Sequence, residues 1–236
     1  MKKQFSLVIP TYHEVGNIGT LLSCLTIVLK DWDYEIIVVD DHSTDGTREI
    51  VENFSHRNTK IKLITRLHEK GLSSAVLKGF SESAGTILGV MDADLSHDPK
   101  LLPEMISLIE TDKADCVAGS RNMQGGAISD WPWYRYLFSR TAAFFAKILS
   151  GVSVTDPTSG YFCISRSVYE TGKDAFKGRG YKILLEILVK GKPKKVIEKP
   201  FVFQDRKAGE SKLSSRVMIE FFIQLCELLV YRVSHS

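Results

Sequence analysis

The 236-residue sequence predicts an α/β fold in which a mostly parallel sheet is flanked by helices. Two observations predict it. Short β-branched apolar runs alternate with amphipathic segments of helical length through the first half of the chain. The apolar runs are also nearly continuous, which is typical of strands that are covered by helices on both faces.

The strands and helices of the first half follow one another in order. We predict strands at Phe5–Pro10, Tyr34–Asp40, Ile61–Thr65, Thr86–Met91 and Ala114–Ala118. We predict helices at Asn17–Leu29, Thr47–Phe54, Ser73–Ser83 and Lys100–Ile109. Asp98 and Pro99 provide an N-cap and a first-turn proline for the last of these helices. Ser43 or Asp45 can cap the helix that starts near Thr47.

The pattern changes after Arg121. A helix is expected to run to Leu149, and Ser159–Ile164 has the pattern of a strand. Val196–Gln204 is also extended, and Pro200 within it indicates an edge strand because proline cannot donate to a sheet ladder. The chain ends in an apolar helix, Val217–Val233. Its polar side chains form one narrow stripe, which consists of Glu220, Gln224, Glu227 and Tyr231.

Composition excludes several classes of protein. The net charge of +3 is nearly balanced, which argues against a nucleic-acid partner. The four cysteines include no CxxC pair, which indicates free thiols in a reducing compartment. The sequence contains neither GxGxxG nor GxxxxGK[ST], which argues against a dehydrogenase or a P-loop NTPase. No signal-peptide core and no apolar run of bilayer length is present, so we expect a cytoplasmic protein.

The candidate site residues follow the strands. Ligands of open parallel sheets bind beyond the carboxyl ends of the strands. Asp92 and Asp94 lie there, and two carboxylates so close in sequence repel each other unless a cation lies between them. A hard divalent cation such as Mg²⁺ suits oxygen ligands, whereas the alternative is a turn that uses aspartate for local capping. Asp40 could accept the imide N–H of a nucleotide base or cap the following turn.

These residues, in this order, resemble the inverting family 2 glycosyltransferases with a GT-A (Rossmann-like) fold, and most closely the dolichol- or polyprenol-phosphate mannosyltransferase group. The resemblance extends from about Phe5 to Leu213. The matching segments are 8–14, 39–47, 91–99, 119–121, 139–140, 156–160 and 206–212. The resemblance implies a catalytic domain over residues 1–212, and residues 213–236 are then an apolar, interfacial helix.

The resemblance also implies an activity and the residues that perform it. The expected reaction moves a hexose, with GDP-mannose as the leading donor, onto a polyprenyl or dolichyl phosphate, with Mg²⁺ or Mn²⁺ as cofactor. The donor-binding positions are Pro10, Tyr12, Glu14, Asp40, Asp92, Ala93, Asp94, Arg121 and Arg135. The metal ligands are Asp92 and Asp94, and the catalytic set adds Arg121 and Arg206. The acceptor-phosphate positions are Arg135, Arg206, Ser211 and Lys212.

Several alternatives stay open at the level of sequence. The donor could be UDP-glucose or another nucleotide sugar, the acceptor could be a hydroxyl group, or the chain could be a catalytically silent nucleotide-binding subunit. Ser96 stands where some relatives have a glutamine ligand, and Asp156 is either a turn cap or a general base.

Contact with a membrane is a further expectation. A polyprenyl acceptor requires peripheral contact with the cytoplasmic face of a membrane. The terminal helix would then dock on the protein body, on a second subunit (a homodimer or a membrane-anchoring subunit) or on the membrane. An aromatic and basic segment could provide the interfacial surface. Its residues are Trp131, Trp133, Tyr134, Arg135, Tyr136 and Arg140.

Overall fold

The computed structural model describes residues 4–124, 126–128, 140–141, 143–145, 147–148, 154–203 and 215–234. The strands are β1 Phe5–Thr11, β2 Tyr34–Asp40, β3 Ile61–Thr65, β4 Ile87–Val90, β5 Cys116–Ser120, β6 Ala127–Ile128, β7 Phe162–Ser165, β8 Val196–Pro200 and β9 Val202–Phe203. The helices are α1 Ile18–Val28, α2 Thr47–Arg57, α3 Leu72–Ser81, α4 Leu102–Glu110, α5 Arg166–Gly172, α6 Ile183–Lys190 and α7 Ser215–Ser234. A 3₁₀ turn, Pro99–Leu101, leads into α4, and residues 140–141, 143–145 and 147–148 are helical.

One mixed sheet organises the chain. Its strand order is β3-β2-β1-β4-β7-β5-β8, and a separate two-stranded sheet pairs β6 with β9. Every pairing in the large sheet is parallel except those of β7, which runs antiparallel to both β4 and β5. The predicted α/β class and mostly parallel sheet are therefore confirmed. The extended segment with Pro200 forms β8 at the sheet edge, as predicted.

The core lies on both faces of this sheet because neighbouring residues of a strand point to opposite faces. Leu7 and Ile9 of β1 pack on one face with residues of α1, α2 and α4. Val8 lies on the other face, with residues of α3, α5 and α6. Helices α5 and α6 have no counterpart in the sequence prediction. All eight residues of α6 are buried, so the segment lacks the amphipathic period that identifies a surface helix.

The C-terminal helix α7 docks on the body with one face. Phe221, Leu225 and Leu228 pack against Leu185 and Val189 of α6. Residues of the polar stripe that the sequence outlines also face the body. Among them, Gln224 is buried and Glu227 pairs with Lys177 and Arg179. The helix is therefore held by buried apolar contacts, and ion pairs at the edge of the contact accompany them.

The outer face of α7 carries exposed apolar side chains, which are Phe222, Ile223, Leu229, Val230 and Val233. Among the described residues, no helix combines the length and the hydropathy that crossing a bilayer requires.

Candidate functional site

A pocket of about 330 Å³ opens at the carboxyl ends of the parallel strands. Its wall is formed by Pro10, Thr11, Tyr12, Glu14, Asp41, Lys70, Gly71, Leu72, Asp92, Ala93, Asp94 and Tyr181. Six of the residues that the sequence singles out for donor binding are in this wall. The expected donor-binding residues did not include Thr11, Asp41, Lys70, Gly71, Leu72 and Tyr181. Of these, Thr11 and Asp41 lie within the strand-end segments 8–14 and 39–47 that the sequence identifies, and the other four lie outside every such segment.

The loop after β1 is tied to the loop after β2 by backbone-to-side-chain hydrogen bonds. The N–H of His13 donates to Ser43 Oγ at 2.9 Å, and the N–H of Glu14 donates to Thr47 Oγ1 at 2.8 Å. Ser43 therefore does not cap α2. The N-cap position of α2 is Gly46, so neither of the two residues that the sequence allows is the N-cap. Asp45, one residue earlier, accepts the backbone N–H of Thr47 at 3.1 Å. These bonds fix the backbone that presents Tyr12 and Glu14 to the pocket.

The two aspartates after β2 have different environments. Asp40 is fully buried and accepts hydrogen bonds from Thr11 Oγ1 at 2.9 Å, Ser43 N at 2.7 Å and Ser43 Oγ at 2.6 Å. It does not line the pocket, so its expected contact with a base stays a prediction. Asp41 lines the pocket instead and pairs with Arg66.

Asp92 and Asp94 follow β4 and line the same pocket. Asp94 accepts the backbone N–H of Ser96 at 3.1 Å. Gly160 lies directly against Asp92, because a Cβ atom there would be 2.9 Å from Asp92 Oδ2. The strand-end aspartates therefore lie together on the wall of a cavity, where a cation can offset their repulsion.

The donor set around these carboxylates suits a hard divalent ion. Ser96 Oγ is buried without a hydrogen-bond partner, two residues beyond Asp94. Carboxylate and hydroxyl oxygens are the ligand type of Mg²⁺ and Mn²⁺. Among the described residues, no group of three or more His, Cys, Asp and Glu side chains is arranged to hold a metal. Water or substrate oxygens would therefore have to complete the coordination of any ion held by the two aspartates.

His97 supports the turn that carries the two aspartates. Its Nδ1 accepts the backbone N–H of Asp92 at 3.3 Å, and its ring stacks on Tyr161 with centroids 4.9 Å apart. Burial lowers the pKa of His97 to about 4, although the Asp94 carboxylate opposes the shift. The imidazole is therefore neutral at physiological pH, as its role of acceptor from Asp92 requires.

Arg121 follows β5 and pairs with Asp156. Its Nε donates to Asp156 Oδ2 at 2.7 Å, and its Nη2 donates to Asp156 Oδ1 at 2.9 Å. Burial alone would raise the pKa of Asp156, but the Arg121 guanidinium lowers it below its ordinary value. Asp92 is among the charges that raise the pKa of Arg121, so the cation lies within electrostatic reach of the pocket acids. Arg121 does not itself line the pocket, and its contact with the donor stays a prediction.

The remaining expected site residues lie outside the described part of the chain. They are Arg135, Arg206, Ser211 and Lys212. The same holds for the aromatic residues Trp131, Trp133, Tyr134 and Tyr136 of the expected interfacial surface. Their roles stay predictions.

Comparison with known proteins gives a consistent result. The family model described as Glycosyl transferase family 2 matches residues 6–172. A protein named dolichol-phosphate mannosyltransferase from Pyrococcus furiosus is 42% identical over 95% of this chain and 63% of its own length. The protein of the same name from Saccharomyces cerevisiae is 39% identical over 98% of this chain and 89% of its own length. The one from Mycosarcoma maydis is 35% identical over 96% of this chain and 79% of its own length. The chain thus spans somewhat less than two thirds of the Pyrococcus relative.

Solved structures share the fold. Glucosyl-3-phosphoglycerate synthase from Mycobacterium tuberculosis, in complex with Mn²⁺, UDP and glucosyl-3-phosphoglycerate, matches with a TM-score of 0.69 at 16% identity. The match covers 98% of this chain and 80% of that one. The same enzyme with Mn²⁺, UDP-glucose and glycerol 3-phosphate matches equally well, with a TM-score of 0.69. At this identity the likeness confirms the predicted fold.

Proposed function

The chain belongs to glycosyl transferase family 2, and on that premise we propose that it transfers mannose from GDP-mannose to a dolichyl or polyprenyl phosphate with inversion of the anomeric carbon. Three relatives that are 35–42% identical and named dolichol-phosphate mannosyltransferase support mannose as the transferred sugar and dolichyl phosphate as the acceptor. The observation that carries the proposal is the placement of Asp92 and Asp94 in the strand-end pocket, within reach of the Arg121 charge.

The strand order suggests how a nucleotide sugar lies in the pocket. Apart from Tyr181, the wall residues lie at or just beyond the ends of β3, β2, β1 and β4, which are neighbours in that order. The diphosphate then belongs at the β4 end, beside Asp92 and Asp94, and the base belongs toward β2 and β3. The aromatic ring of Tyr12 lies between these two ends, at the carboxyl end of β1.

Asp92 and Asp94 would hold a divalent ion, either Mg²⁺ or Mn²⁺, which when bound neutralises the negative charge of the departing diphosphate. Both carboxylates are at the pocket wall, and Gly160 leaves room for the carboxylate of Asp92. The buried hydroxyl of Ser96 is a third oxygen of the required type.

The protonation state of Asp156 favours a phosphate acceptor over a hydroxyl acceptor. A hydroxyl nucleophile needs a general base, but Asp156 is buried against Arg121 and its pKa is lowered. A phosphate monoester, with a second pKa near about 6, is already largely dianionic at neutral pH and needs no base. It needs cations that hold it near the donor, a role we propose for Arg135, Arg206 and Lys212.

We further propose that the protein works as a peripheral protein on the cytoplasmic face of a membrane, where a polyprenyl chain resides. The exposed apolar face of α7 supports this placement, because Phe222, Val230 and Val233 lie on the outer side of the docked helix. Apolar side chains on a helix that is already docked on the protein are suited to the interfacial layer of a bilayer.

The experiment is a donor panel with dolichyl phosphate in detergent. Labelled GDP-mannose, GDP-glucose, UDP-glucose and UDP-N-acetylglucosamine are tested with Mg²⁺ or Mn²⁺, with and without chelator. We expect transfer from GDP-mannose that is lost with chelator and in the Asp92→Asn variant. The control is Asp98→Asn, because Asp98 caps the Pro99–Leu101 turn and asparagine caps equally well.

Each other outcome has a defined meaning. Transfer from UDP-glucose alone would contradict the proposed donor, and transfer only to a hydroxyl compound would contradict the acceptor. Nucleotide binding without transfer from any donor would show a binding subunit instead of an enzyme. Transfer that is unchanged by chelator would contradict the role of Asp92 and Asp94.

A further inference from the structure

A buried ion pair holds the backbone at the far end of the pocket wall. The N–H of Gly71 donates to Asp41 Oδ2 at 2.8 Å, and the carbonyl of Gly71 accepts from Arg66 Nη2 at 2.9 Å. Arg66 Nε in turn donates to Asp41 Oδ1 at 2.7 Å. Both polar backbone groups of Gly71 are therefore held by one pair of side chains, which we call the Arg66–Asp41 pair.

The conformation of Gly71 depends on this pair. Its φ of +136° lies in a region that residues with a side chain rarely adopt. Arg66 is buried, and its Nη1 also donates to Ser74 Oγ at 2.8 Å on α3. The Arg66 side chain is thus anchored to two neighbouring elements and does not line the pocket itself. What it fixes is the course of the chain on either side of Gly71.

Lys70 and Leu72, the two neighbours of Gly71, both line the pocket. The ammonium group of Lys70 lies 5.0 Å from the centre of the Tyr12 ring. Among the described residues of the pocket wall, Lys70 is the sole lysine or arginine. A cation with three donors therefore lies beside the aromatic ring, and its backbone is fixed by the Arg66–Asp41 pair.

The backbone of Lys70 follows β3, at the end of the pocket where the base of the donor is proposed to lie. Strand β3 is three strand positions from β4, which at roughly 4.8 Å per strand is about 14 Å between the two strand ends. The ammonium group itself lies beside the Tyr12 ring, at the end of β1, and so faces the middle of the pocket. From there it can contact the part of the donor that lies on the β2 and β3 side of the diphosphate.

We propose that Lys70 donates a hydrogen bond to a ring carbonyl oxygen of the donor base, and that Arg66 positions Lys70 through Gly71. This inference rests on the proposed function and adds a residue that selects the base. An ammonium group only donates, so it pairs with O6 of guanine but not with the amino group that adenine carries at the same ring position. Lys70 would then favour GDP over ADP, although both share the diphosphate.

The test compares the binding of GDP and ADP to the full chain by calorimetry. The Lys70→Met variant keeps the length of the side chain and removes its charge. We expect the affinity for GDP to fall about tenfold, as the loss of a hydrogen bond to a charged donor predicts, and the affinity for ADP to stay nearly constant. The control is Lys78→Met, since Lys78 is an exposed lysine of α3 that pairs with Glu82.

Two results would overturn the assignment of Lys70. An equal fall for GDP and ADP would place the ammonium on a group that both nucleotides carry, such as the diphosphate, the ribose or N7 of the purine. No change for either nucleotide would mean that Lys70 touches no part of the donor. Because Lys70 is exposed, its replacement leaves the core intact, and a melting temperature equal to that of the wild type verifies this.

The positioning role of Arg66 is tested with Arg66→Lys, which keeps the charge and loses the forked geometry. We expect the KM for GDP-mannose to rise with kcat unchanged, and the GDP-to-ADP preference to fall. Arg166→Lys is the matched control, because Arg166 also bonds backbone carbonyls, those of Gly85 and Ser83, away from the pocket.

A lower melting temperature with an unchanged nucleotide preference would mean that Arg66 has only a structural role. Gly71→Ala is the second variant for this step, since the added methyl group lies 3.4 Å from Ser74 Oγ and the strain falls on the positive φ. If neither variant alters the preference, the positioning role is overturned.

A failure of the proposed function has a different signature. A wild-type protein that binds UDP and not GDP would contradict the proposed donor but not the role of Lys70. The wild type and Lys70→Met are then compared in their binding of UDP and CDP. The bases of these two nucleotides differ in the same way, because uracil carries a carbonyl oxygen where cytosine carries an amino group. A wild-type protein that binds neither GDP nor UDP would overturn both the proposed function and this inference.

Discussion

Arg121 donates two side-chain hydrogen bonds to Asp156, at 2.7 Å and 2.9 Å, and its backbone N–H donates a third at 3.2 Å. The pair connects the end of β5 to the segment that leads into β7, although 35 residues separate the two side chains in sequence. The guanidinium also lies over the Phe203 ring, 5.6 Å from its centre. Asp156 thereby fixes one orientation of the arginine beside the pocket.

Asp156→Asn is expected to lower stability more than activity. The substitution leaves a largely buried arginine without its counter-charge, so we expect the free energy of unfolding to fall by about 3 kcal/mol. Urea denaturation measures this loss. The control is Asp115→Asn, whose carboxylate accepts backbone N–H groups of Lys194 and Lys195. Mannosyl transfer by Asp156→Asn should fall only modestly, and a fall to the level of Asp92→Ala would indicate that Asp156 has a direct catalytic role.

The same pair predicts part of the acid dependence of stability. Arg121 lowers the pKa of Asp156 in the folded state, so the unfolded chain binds the proton more readily as the pH falls. The stability that the pair contributes is complete above the pKa that Asp156 has in the unfolded chain, roughly 4. It is lost as the pH falls through the lower pKa that Asp156 has in the folded state. The urea concentration at the midpoint of unfolding is measured from roughly pH 2.5 to pH 7, a range that spans these values. As the pH falls, this midpoint should decline less steeply for Asp156→Asn than for the wild type. Parallel curves would contradict this assignment.

Gly160→Ala is expected to separate activity from stability. The new Cβ atom would lie 2.9 Å from Asp92 Oδ2, and the carboxylate, as the end of a side chain, would rotate away. We expect a loss of transfer of at least about tenfold, equivalent to about 1.4 kcal/mol of transition-state stabilisation, with a small change in melting temperature. Steady-state kinetics and thermal denaturation measure the two effects.

Gly19→Ala is the control for this substitution. Gly19 lies in α1, and its added methyl group would make an ordinary contact at 3.5 Å with Ile50 of α2. Alanine should stabilise that helix slightly without altering transfer. Full activity of Gly160→Ala would show that the position of the Asp92 carboxylate does not limit the reaction.

The cysteines should differ in reactivity. Cys116 and Cys163 are buried in the sheet, and burial raises the pKa of both thiols, whereas Cys226 on α7 is exposed. We expect an alkylating reagent to modify Cys226 in the native protein and to reach Cys116 and Cys163 only after unfolding. Mass spectrometry of peptides from native and denatured samples measures this order. Early labelling of Cys163 would mean that β7 opens in the native state.

Local sequence patterns were sufficient for much of the fold and for one side of the site. Strands β1 to β5 lie within a few residues of the predicted segments, because alternating apolar runs and helical periods are local properties. The rule that ligands bind at the ends of parallel strands pointed to the segment 10–14, and the family resemblance implied Pro10, Tyr12 and Glu14 within it. The antiparallel insertion of β7 between β4 and β5 was not predicted, since strand pairing depends on contacts distant in sequence.

The other side of the site needed the tertiary structure. Tyr181 reaches the pocket from the segment before α6, and Lys70 reaches it from the loop after β3. Neither residue has a motif in the sequence that connects it to the strand-end acids. Tertiary contacts also decide that Asp41, and not Asp40, lines the pocket. Asp40 is enclosed by Thr11 and Ser43, while Arg66 draws Asp41 toward Gly71.

The sequence by itself determined the α/β class, the order of the strand-end loops and the acids Asp92 and Asp94, since each depends on residues within one short segment. The tertiary structure alone decided which charge faces which. It paired Arg121 with Asp156 and Arg66 with Asp41, and it turned the polar side of α7 toward the cations of the body. The physical reason is that an ion pair depends on distance in space and on burial, and neither can be read from the separation of two residues along the chain.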